Sequence, residues 1–337
     1  MATKLPTRKV GQTEVTALGY GAMGISSFYG SAPPDEERFK FLDALFEAGC
    51  TNWDTADVYG DSEELIGRWL KRSGKRNEIF LATKFGGGSS SGKIIDCSPA
   101  YAKEACQKSL EKLGVDQIDL FYAHRADPTV PIEHTVGALA ELVKEGKVKY
   151  IGICECNGDT LRRAYKVHPI AAIQVEYSPF TLDGEDPKIG ALAAARELGV
   201  TVFAYSPLGR GLLTGKYKSP DDFEEGDMRR IIPRYSKENF PNVLKVVEEI
   251  QEIGKGHNAS AGQVTLAWLL AQGPDVIPIP GTRNVKYLHE NLGSLNVKLD
   301  PEEVRQVREI AERADSTLGD RYPTAMLETL YTNTPSL

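Results

Sequence analysis

The chain has few cysteines, no long apolar run and fewer positive than negative charges. Five Cys among 337 residues are too few for a disulfide framework and lack the paired spacing of a metal site, so we expect reduced thiols and no metal. The apolar stretches at 189–195 and 266–271 are far shorter than the ~20 residues of a membrane span. The first residues lack the apolar segment of a secretory signal. We therefore expect a cytoplasmic protein with no membrane partner.

The charge balance is acidic. Forty Lys and Arg against 47 Asp and Glu give a formal charge of -7, which disfavours nucleic acid and anionic membranes as partners. An anionic ligand would need a local site. No charge run and no linker rich in Pro, Gly and Ser divides the chain, so we expect one domain over residues 1–337.

Short β-branched runs alternate with amphipathic helical patterns along most of the chain. Eight runs predict strands, at 15–20, 50–55, 79–84, 118–124, 149–154, 171–176, 201–205 and 275–280. The helical patterns between and after them predict one helix from Asp35 to Gly49, one begun by Ser98 and ended by Gly114, and others at 62–72, 132–145, 158–167, 187–198 and 284–292.

Eight strand–helix repeats predict an α/β fold, namely a single (β/α)8 TIM barrel. Three features lie outside the repeat. Residues 5–14 predict an N-terminal hairpin, residues 301–314 predict an extra C-terminal helix followed by a tail, and residues 86–97 and 210–240 predict long loops at the carboxyl ends of the strands.

Two glycine-rich segments match nucleotide-binding motifs only in part. GYGAMG (19–24) fits the dinucleotide fingerprint, but turn-rich residues follow it and no helix is expected before about Pro34, whereas that motif opens a helix. We interpret it as a barrel loop close to a ligand. GRGLLTGKY (209–217) has Tyr217 where a phosphate loop needs Ser or Thr, so a triphosphatase is disfavoured.

Titratable side chains recur where the predicted strands end. Asp54, Lys84 and His124 end strands two, three and four, and Tyr59 follows strand two. Each has a structural alternative: a turn cap, a solvated amine, a core imidazole or rim packing. In a barrel the carboxyl ends of the strands carry the reacting groups. We therefore expect the four side chains to form one catalytic cluster.

Six segments in order and at matching spacing resemble the aldo-keto reductase superfamily, especially its microbial and plant branches: DTADVYG (54–60), ATKFG (82–86), DLFYAHR (119–125), IQVEYSPF (173–180), AYSPLGRGLLTG (204–215) and IPGTRNVKYLHEN (279–291). The resemblance implies NADPH-dependent reduction of aldehydes or ketones. It implies Tyr59 as general acid, Lys84 as the cation that lowers the phenol pKa, Asp54 as the anchor of Lys84, and His124 as a donor to the carbonyl oxygen.

The resemblance also implies an NADPH/NADP+ site. Tyr205 would stack on the nicotinamide, Gln174 would hold its carboxamide, and Arg283 before a helix would hold the 2′-phosphate. Where the family has serine this chain has Cys154, a weaker hydrogen-bond partner. The full expected set is Gly21, Met23, Asp54, Cys154, Asn157, Gln174, Tyr205, Ser206, Pro207, Leu208, Gly209, Gly211, Lys216, Gly281, Thr282, Arg283, Glu290 and Asn291.

The substrate is expected to be a small aldehyde or ketone in an aromatic-rimmed pocket, formed by Phe28, Tyr29, Trp53, Tyr59, Phe85, His124 and Arg125. Two alternatives from other classes stay open. One is a cofactor-binding regulatory subunit similar to potassium-channel beta subunits, and the other is a lyase with Lys84 as a Schiff-base amine. A monomer is the default expectation.

Overall fold

The computed structural model describes residues 4–88 and 92–337, and its centre is an eight-stranded parallel sheet. The part of the predicted loop at residues 89–91 lies outside the described residues. The sheet strands follow chain order as β3 to β10: Tyr20–Gly21, Asn52–Asp54, Phe80–Phe85, Ile118–Ala123, Val148–Cys154, Ala172–Glu176, Thr201–Tyr205 and Val276–Pro278.

Hydrogen bonds between the two edges of the sheet close it into a barrel. The Gly19 N–H donates to the Pro278 carbonyl at 2.9 Å, and the Gly21 N–H donates to the Pro280 carbonyl at 3.4 Å. Neighbouring strands are parallel throughout, as between Tyr20 and Trp53 in β3 and β4. The predicted (β/α)8 barrel is therefore confirmed.

The first predicted strand was placed too early. Residues 13–16 form β2 (Thr13–Thr16), which pairs antiparallel with β1 (Thr7–Val10) in the N-terminal hairpin. The turn at Gly11 requires a φ of +56°, which glycine adopts without strain. The hairpin covers the amino ends of the strands, since the Thr201 hydroxyl donates to the Lys9 carbonyl at 2.8 Å.

Helices surround the sheet, and those predicted between the strands are present. Ser98 caps its helix by accepting from the Tyr101 N–H, and Gly114 ends it at a φ of +63°. The helices α1 to α12 are Met23–Ser26, Asp35–Glu47, Ser62–Ser73, Pro99–Leu113, Ile132–Lys144, Gly158–Val167, Ala191–Leu198, Phe240–Gly256, Ala261–Ala271, Val285–Gly293, Pro301–Thr317 and Thr324–Leu327.

Four of these helices were not predicted, and one of them, the short α12, lies in the segment expected to be a tail. The single turn α1 begins at Met23, earlier than the expected first helix. Helices α8 and α9 occupy the segment between β9 and β10, where the sequence predicted no helix. Most of α9 is buried, including Trp268, so it has no polar stripe from which an amphipathic pattern could be recognised.

The core has two layers, because successive side chains of a strand point to opposite faces. Phe80, Tyr122 and Phe203 pack inside the barrel. Trp53 and Phe85 pack in the outer layer between strands and helices. Among the described residues, no helix has both the length and the apolar character needed to cross a membrane.

Candidate active site

The four titratable residues predicted at the strand ends lie together at the carboxyl end of the barrel. The Lys84 ammonium donates to the Asp54 carboxylate, to the Thr55 carbonyl at 2.7 Å and to the Tyr59 hydroxyl at 3.3 Å. The Tyr59 and His124 rings meet edge to face with centroids 5.8 Å apart. The cluster therefore brings the Asp54 carboxylate, the Lys84 ammonium and the His124 imidazole close to the Tyr59 side chain.

Burial and charge set the protonation states of this cluster. Burial disfavours the Lys84 ammonium, but Asp54, together with Tyr59 and Cys154, more than offsets this and the net pKa of Lys84 is raised. Burial also raises the pKa of Tyr59, and the Lys84 charge opposes part of that rise. Lys84 thus lowers the pKa of Tyr59, as expected, while burial keeps the phenol protonated at neutral pH.

His124 is held in its neutral form. Burial, then the charges of Lys84 and Arg125, lower its pKa well below the usual histidine value. Its Nδ1 atom has no hydrogen-bond partner among residues 4–88 and 92–337. A Cβ at Gly87 would lie 3.2 Å from the His124 ring, so glycine at this position leaves room for the imidazole.

A cavity of about 820 Å³ runs from this cluster across the barrel mouth. Asp54 and Tyr59 line one part of it. The other expected cofactor residues that line it are Gly21, Met23, Gln174, Tyr205, Ser206, Pro207, Leu208, Gly211, Lys216, Gly281, Thr282, Arg283, Glu290 and Asn291. Gln174 also donates to the Asp54 carboxylate at 2.8 Å, so the cavity is joined directly to the cluster.

Arg283 stands where the predicted helix after β10 begins. Asn284 caps α10 by accepting from the Lys286 N–H at 2.8 Å. The Arg283 guanidinium donates to the Ser31 carbonyl at 2.6 Å. The positive end of the helix dipole and a guanidinium therefore face the same part of the cavity, which suits an anionic group.

The loop after β9 closes over the cavity and contacts the first barrel loop. The Met228 N–H donates to the Phe28 carbonyl at 3.1 Å. The Arg229 guanidinium lies over the Tyr29 and Tyr217 rings, 5.0 and 4.4 Å from their centroids, and forms an ion pair with Asp227. The cavity therefore has a roof built from two distant parts of the chain.

Several expected site residues lie away from the cavity lining. Cys154 packs inside the barrel. Asn157 caps α6 by accepting from the Thr160 N–H at 2.8 Å and donates to the Tyr331 carbonyl. Gly209 does not line the cavity and lies against the Phe180 ring. The structure does not bring these residues to the cavity surface.

Trp53 and Phe85 also lie away from the cavity. The Trp53 indole donates to the Cys50 carbonyl at 2.7 Å and packs 4.8 Å from the Trp69 ring, and Phe85 stacks 4.9 Å from Phe121. Trp53 is next to Asp54 and Phe85 is next to Lys84. Because successive side chains of a strand point to opposite faces, Trp53 and Phe85 point away from the barrel interior. By contrast, Tyr29 lines the cavity and Phe28 meets Tyr59 edge to face at 6.1 Å.

The sequence missed cavity residues in the loop after β9 and a buried charge network beneath the tail. Arg210, Tyr217, Asp227 and Arg229 line the cavity. Arg210 and Tyr217 belong to segments recognised in the sequence but were not among the expected site residues, and the stretch that holds Asp227 and Arg229 has no recognisable motif. The network centres on Arg321, which donates to Glu155 at 2.8 Å, to Glu176 and Tyr205 at 3.2 Å and to Asp183 at 2.8 Å. Arg210 also pairs with Glu176 at 3.1 Å.

Comparison with known proteins gives consistent matches over nearly the whole chain. The sequence model of the Aldo/keto reductase family matches residues 17–312. Aldo-keto reductase str7 of Strobilurus tenacellus is 62% identical over 322 residues, which are 94% of this chain and 95% of that protein. Aldo-keto reductase yakc [NADP(+)] of Schizosaccharomyces pombe is 48% identical over 338 residues, 99% of both chains.

Solved structures give the same result. A thermostable aldo-keto reductase in complex with the inhibitor epalrestat has 31% identity and a TM-score of 0.74, covering 91% of this chain and all of that one. The glycerol dehydrogenase of Gluconobacter oxydans has 28% identity and a TM-score of 0.81, covering 94% and 98%. The similarity thus extends to sequence and fold together.

Proposed function

The chain belongs to the aldo/keto reductase family, and we propose that it reduces aldehydes or ketones to alcohols with NADPH, using Tyr59 as the proton donor. The observation that carries the proposal is the Tyr59 hydroxyl, within 3.3 Å of the Lys84 ammonium at one end of a cavity of about 820 Å³. The compared relatives are named as enzymes, so the regulatory-subunit alternative has no support among them.

The protonated phenol is the acid that this reaction needs. Reduction of a carbonyl carbon leaves an alkoxide, so a proton must be delivered to the oxygen. Tyr59 gives up that proton, and the Lys84 cation stabilises the phenolate that remains. The Asp54 carboxylate and the Thr55 carbonyl hold Lys84 in position. Neutral His124 contributes a ring N–H that orients the carbonyl oxygen toward Tyr59.

The cavity residues suit a nicotinamide dinucleotide, which when bound supplies the hydride. A Cβ at Gly21 would lie 2.8 Å from the Ile279 carbonyl, and one at Gly281 would lie 2.7 Å from the Gly21 carbonyl. Glycines are therefore needed at the floor of the cavity, where β3 and β10 close the barrel. Gln174 and Tyr205 would hold the nicotinamide, the segment from Ser206 onward the pyrophosphate, and Arg283 with Lys216 the 2′-phosphate.

Two of the remaining expected cofactor contacts, Cys154 and Asn157, would act only indirectly. Cys154 would pack beneath the nicotinamide, and Asn157 would hold the tail. The substrate pocket would consist of Phe28, Tyr29, Tyr59, His124 and Arg125. We also propose that the chain works as a single domain, a monomer and a cytoplasmic protein, without nucleic acid as a partner.

The test is NADPH consumption with aromatic, aliphatic and sugar aldehydes by the parent chain and Tyr59→Phe. We expect kcat to fall roughly 100-fold or more in Tyr59→Phe, because the proton donor is lost, while the Kd of NADPH stays unchanged. Tyr165→Phe on helix α6 is the matched control and should behave like the parent. Parent-like turnover by Tyr59→Phe, or no turnover of any carbonyl despite tight NADPH binding, would contradict the proposal.

A further inference from the structure

Arg125 directly follows His124 at the carboxyl end of β6, and its guanidinium forms few hydrogen bonds. The only hydrogen bond of that group among the described residues goes from Nη1 to the His124 carbonyl at 2.7 Å. A guanidinium has five N–H donors in a planar fork. The side chain is only partly buried. Most of its donors are therefore available to a ligand beside the catalytic imidazole.

Two carboxylates that neighbour Arg125 in the chain or in the sheet accept hydrogen bonds from other groups. Asp127, two positions along, accepts from the Cys97 N–H at 2.9 Å and from the Thr129 N–H at 2.8 Å. Glu155, which directly follows the neighbouring strand β7, forms its ion pair with Arg321, although its charge still contributes to raising the pKa of Arg125. Residues 1–3 and 89–91 contain no Asp or Glu, so every acidic side chain lies within the described residues, and none of these pairs with Arg125.

Three other arginines of the barrel mouth have carboxylate partners. Arg210 pairs with Glu176, Arg229 with Asp227, and Arg321 with three carboxylates. A partly buried cation without a carboxylate is unfavourable unless something compensates its charge. Arg125 thus has no ion pair among residues 4–88 and 92–337, and the same holds for Arg283, which donates only to carbonyl oxygens and to which we have assigned the cofactor phosphate.

We propose that Arg125 binds a carboxylate of the substrate, so that the enzyme prefers aldehydes or ketones that carry one. This inference rests on the proposed carbonyl reduction. The arrangement suits such a substrate because neighbouring residues would bind its carbonyl group and its carboxylate. His124 and Tyr59, with rings 5.8 Å apart, hold the carbonyl oxygen, and the Arg125 fork accepts the carboxylate in the two-point geometry that this pair favours.

The experiment compares 3- and 4-carboxybenzaldehyde with their methyl esters, which keep the shape but lose the charge. For the parent chain we expect a higher kcat/KM for at least one acid than for its ester. Arg125→Gln should raise KM for that acid about tenfold to 100-fold with little change for the ester. Arg125→Lys should recover part of the loss, because it restores the charge without the fork.

Arg305→Gln, on the exposed face of α11, is the matched control and should leave both substrates unchanged. Equal kcat/KM for acids and esters in the parent, or an equal loss for both in Arg125→Gln, would overturn the inference while leaving carbonyl reduction intact.

A binding measurement tests the carboxylate site at Arg125 separately from the proposed carbonyl reduction. If no aldehyde is reduced, the proposed function fails, and calorimetric titration of benzoate into the protein with NADP+ then decides the role of Arg125. Benzoate binding by the parent that weakens at least tenfold in Arg125→Gln supports the carboxylate site. Benzoate binding that is absent in the parent, or equal in both chains, overturns it.

Discussion

Arg321 offers the sharpest test of how the barrel mouth is stabilised. It enters from the C-terminal tail and is 3% exposed, and its two buried partners, Glu155 and Glu176, are 0% and 2% exposed. Arg321→Met removes the cation but keeps much of the apolar stem. Glu176 would keep Arg210, whereas Glu155 would lose its ion pair and retain, within the described part of the chain, only the hydrogen bond from the Glu176 N–H at 2.8 Å.

Removing one partner of a buried ion pair strands the other charge, at a loss of about 3–5 kcal/mol in the free energy of unfolding. We expect Arg321→Met to lose that amount in urea unfolding followed by circular dichroism. The double variant Arg321→Met/Glu155→Gln should recover about 1–3 kcal/mol, because the stranded charge is gone.

The control is Arg162→Met, whose pairs with Asp159 and Glu197 lie at the surface. It should lose about 0–1 kcal/mol. A loss below about 1 kcal/mol in Arg321→Met, or a double variant no more stable than the single one, would refute the reasoning that Glu155 depends on Arg321.

Three further predictions follow from other parts of the molecule. Burial, then the Glu63 carboxylate, raises the pKa of Asp57 from 3.8 to about 7. Between these pH values the Asp57 carboxyl is protonated in the folded chain but ionised in the unfolded chain. The free energy of unfolding therefore falls as pH rises through this range. Asp57→Asn should match the parent near pH 3.5 and exceed it by about 3–5 kcal/mol at pH 8 in urea unfolding, and a constant difference would exclude this explanation. Arg283→Gln should raise the Kd of NADPH about tenfold but leave that of NADH unchanged in fluorescence titration; equal weakening would exclude a 2′-phosphate role. Trp53→Phe should lower the unfolding free energy by about 1–2 kcal/mol without changing KM, since Trp53 packs on Trp69 outside the barrel; a raised KM would place it in the pocket.

The predictable part of the fold came from strong local patterns. Alternation of strand and helix, with caps such as Ser98, located most elements within a few residues, because each pattern reflects one buried face. Residues 15–20 were misassigned since Val15 and Tyr20 belong to different strands separated by a short turn. Helix α9 was missed because it is apolar on nearly all sides.

The proximity of Asp54, Lys84 and His124 was predictable because they occupy equivalent ends of adjacent strands, and their catalytic roles stay a proposal. Strand alternation could also have placed Trp53 and Phe85 in the outer layer, since each neighbours an inward-facing residue. The Arg321 network had no such signal. Its partners are separated from it by 145 and 166 residues, and pairing at that distance depends on the path of the tail.

That separation has a consequence for the order of folding. A ribosome adding ~5–20 residues per second would release Glu155 and Glu176 long before the tail reaches Arg321, 166 and 145 residues later. During that interval Glu176 can pair with Arg210, whereas Glu155 has no ion-pair partner among the described residues and must remain hydrated. We therefore expect the carboxyl end of β7 to stay open until the tail docks, which makes closure of the mouth at this strand a late step of folding.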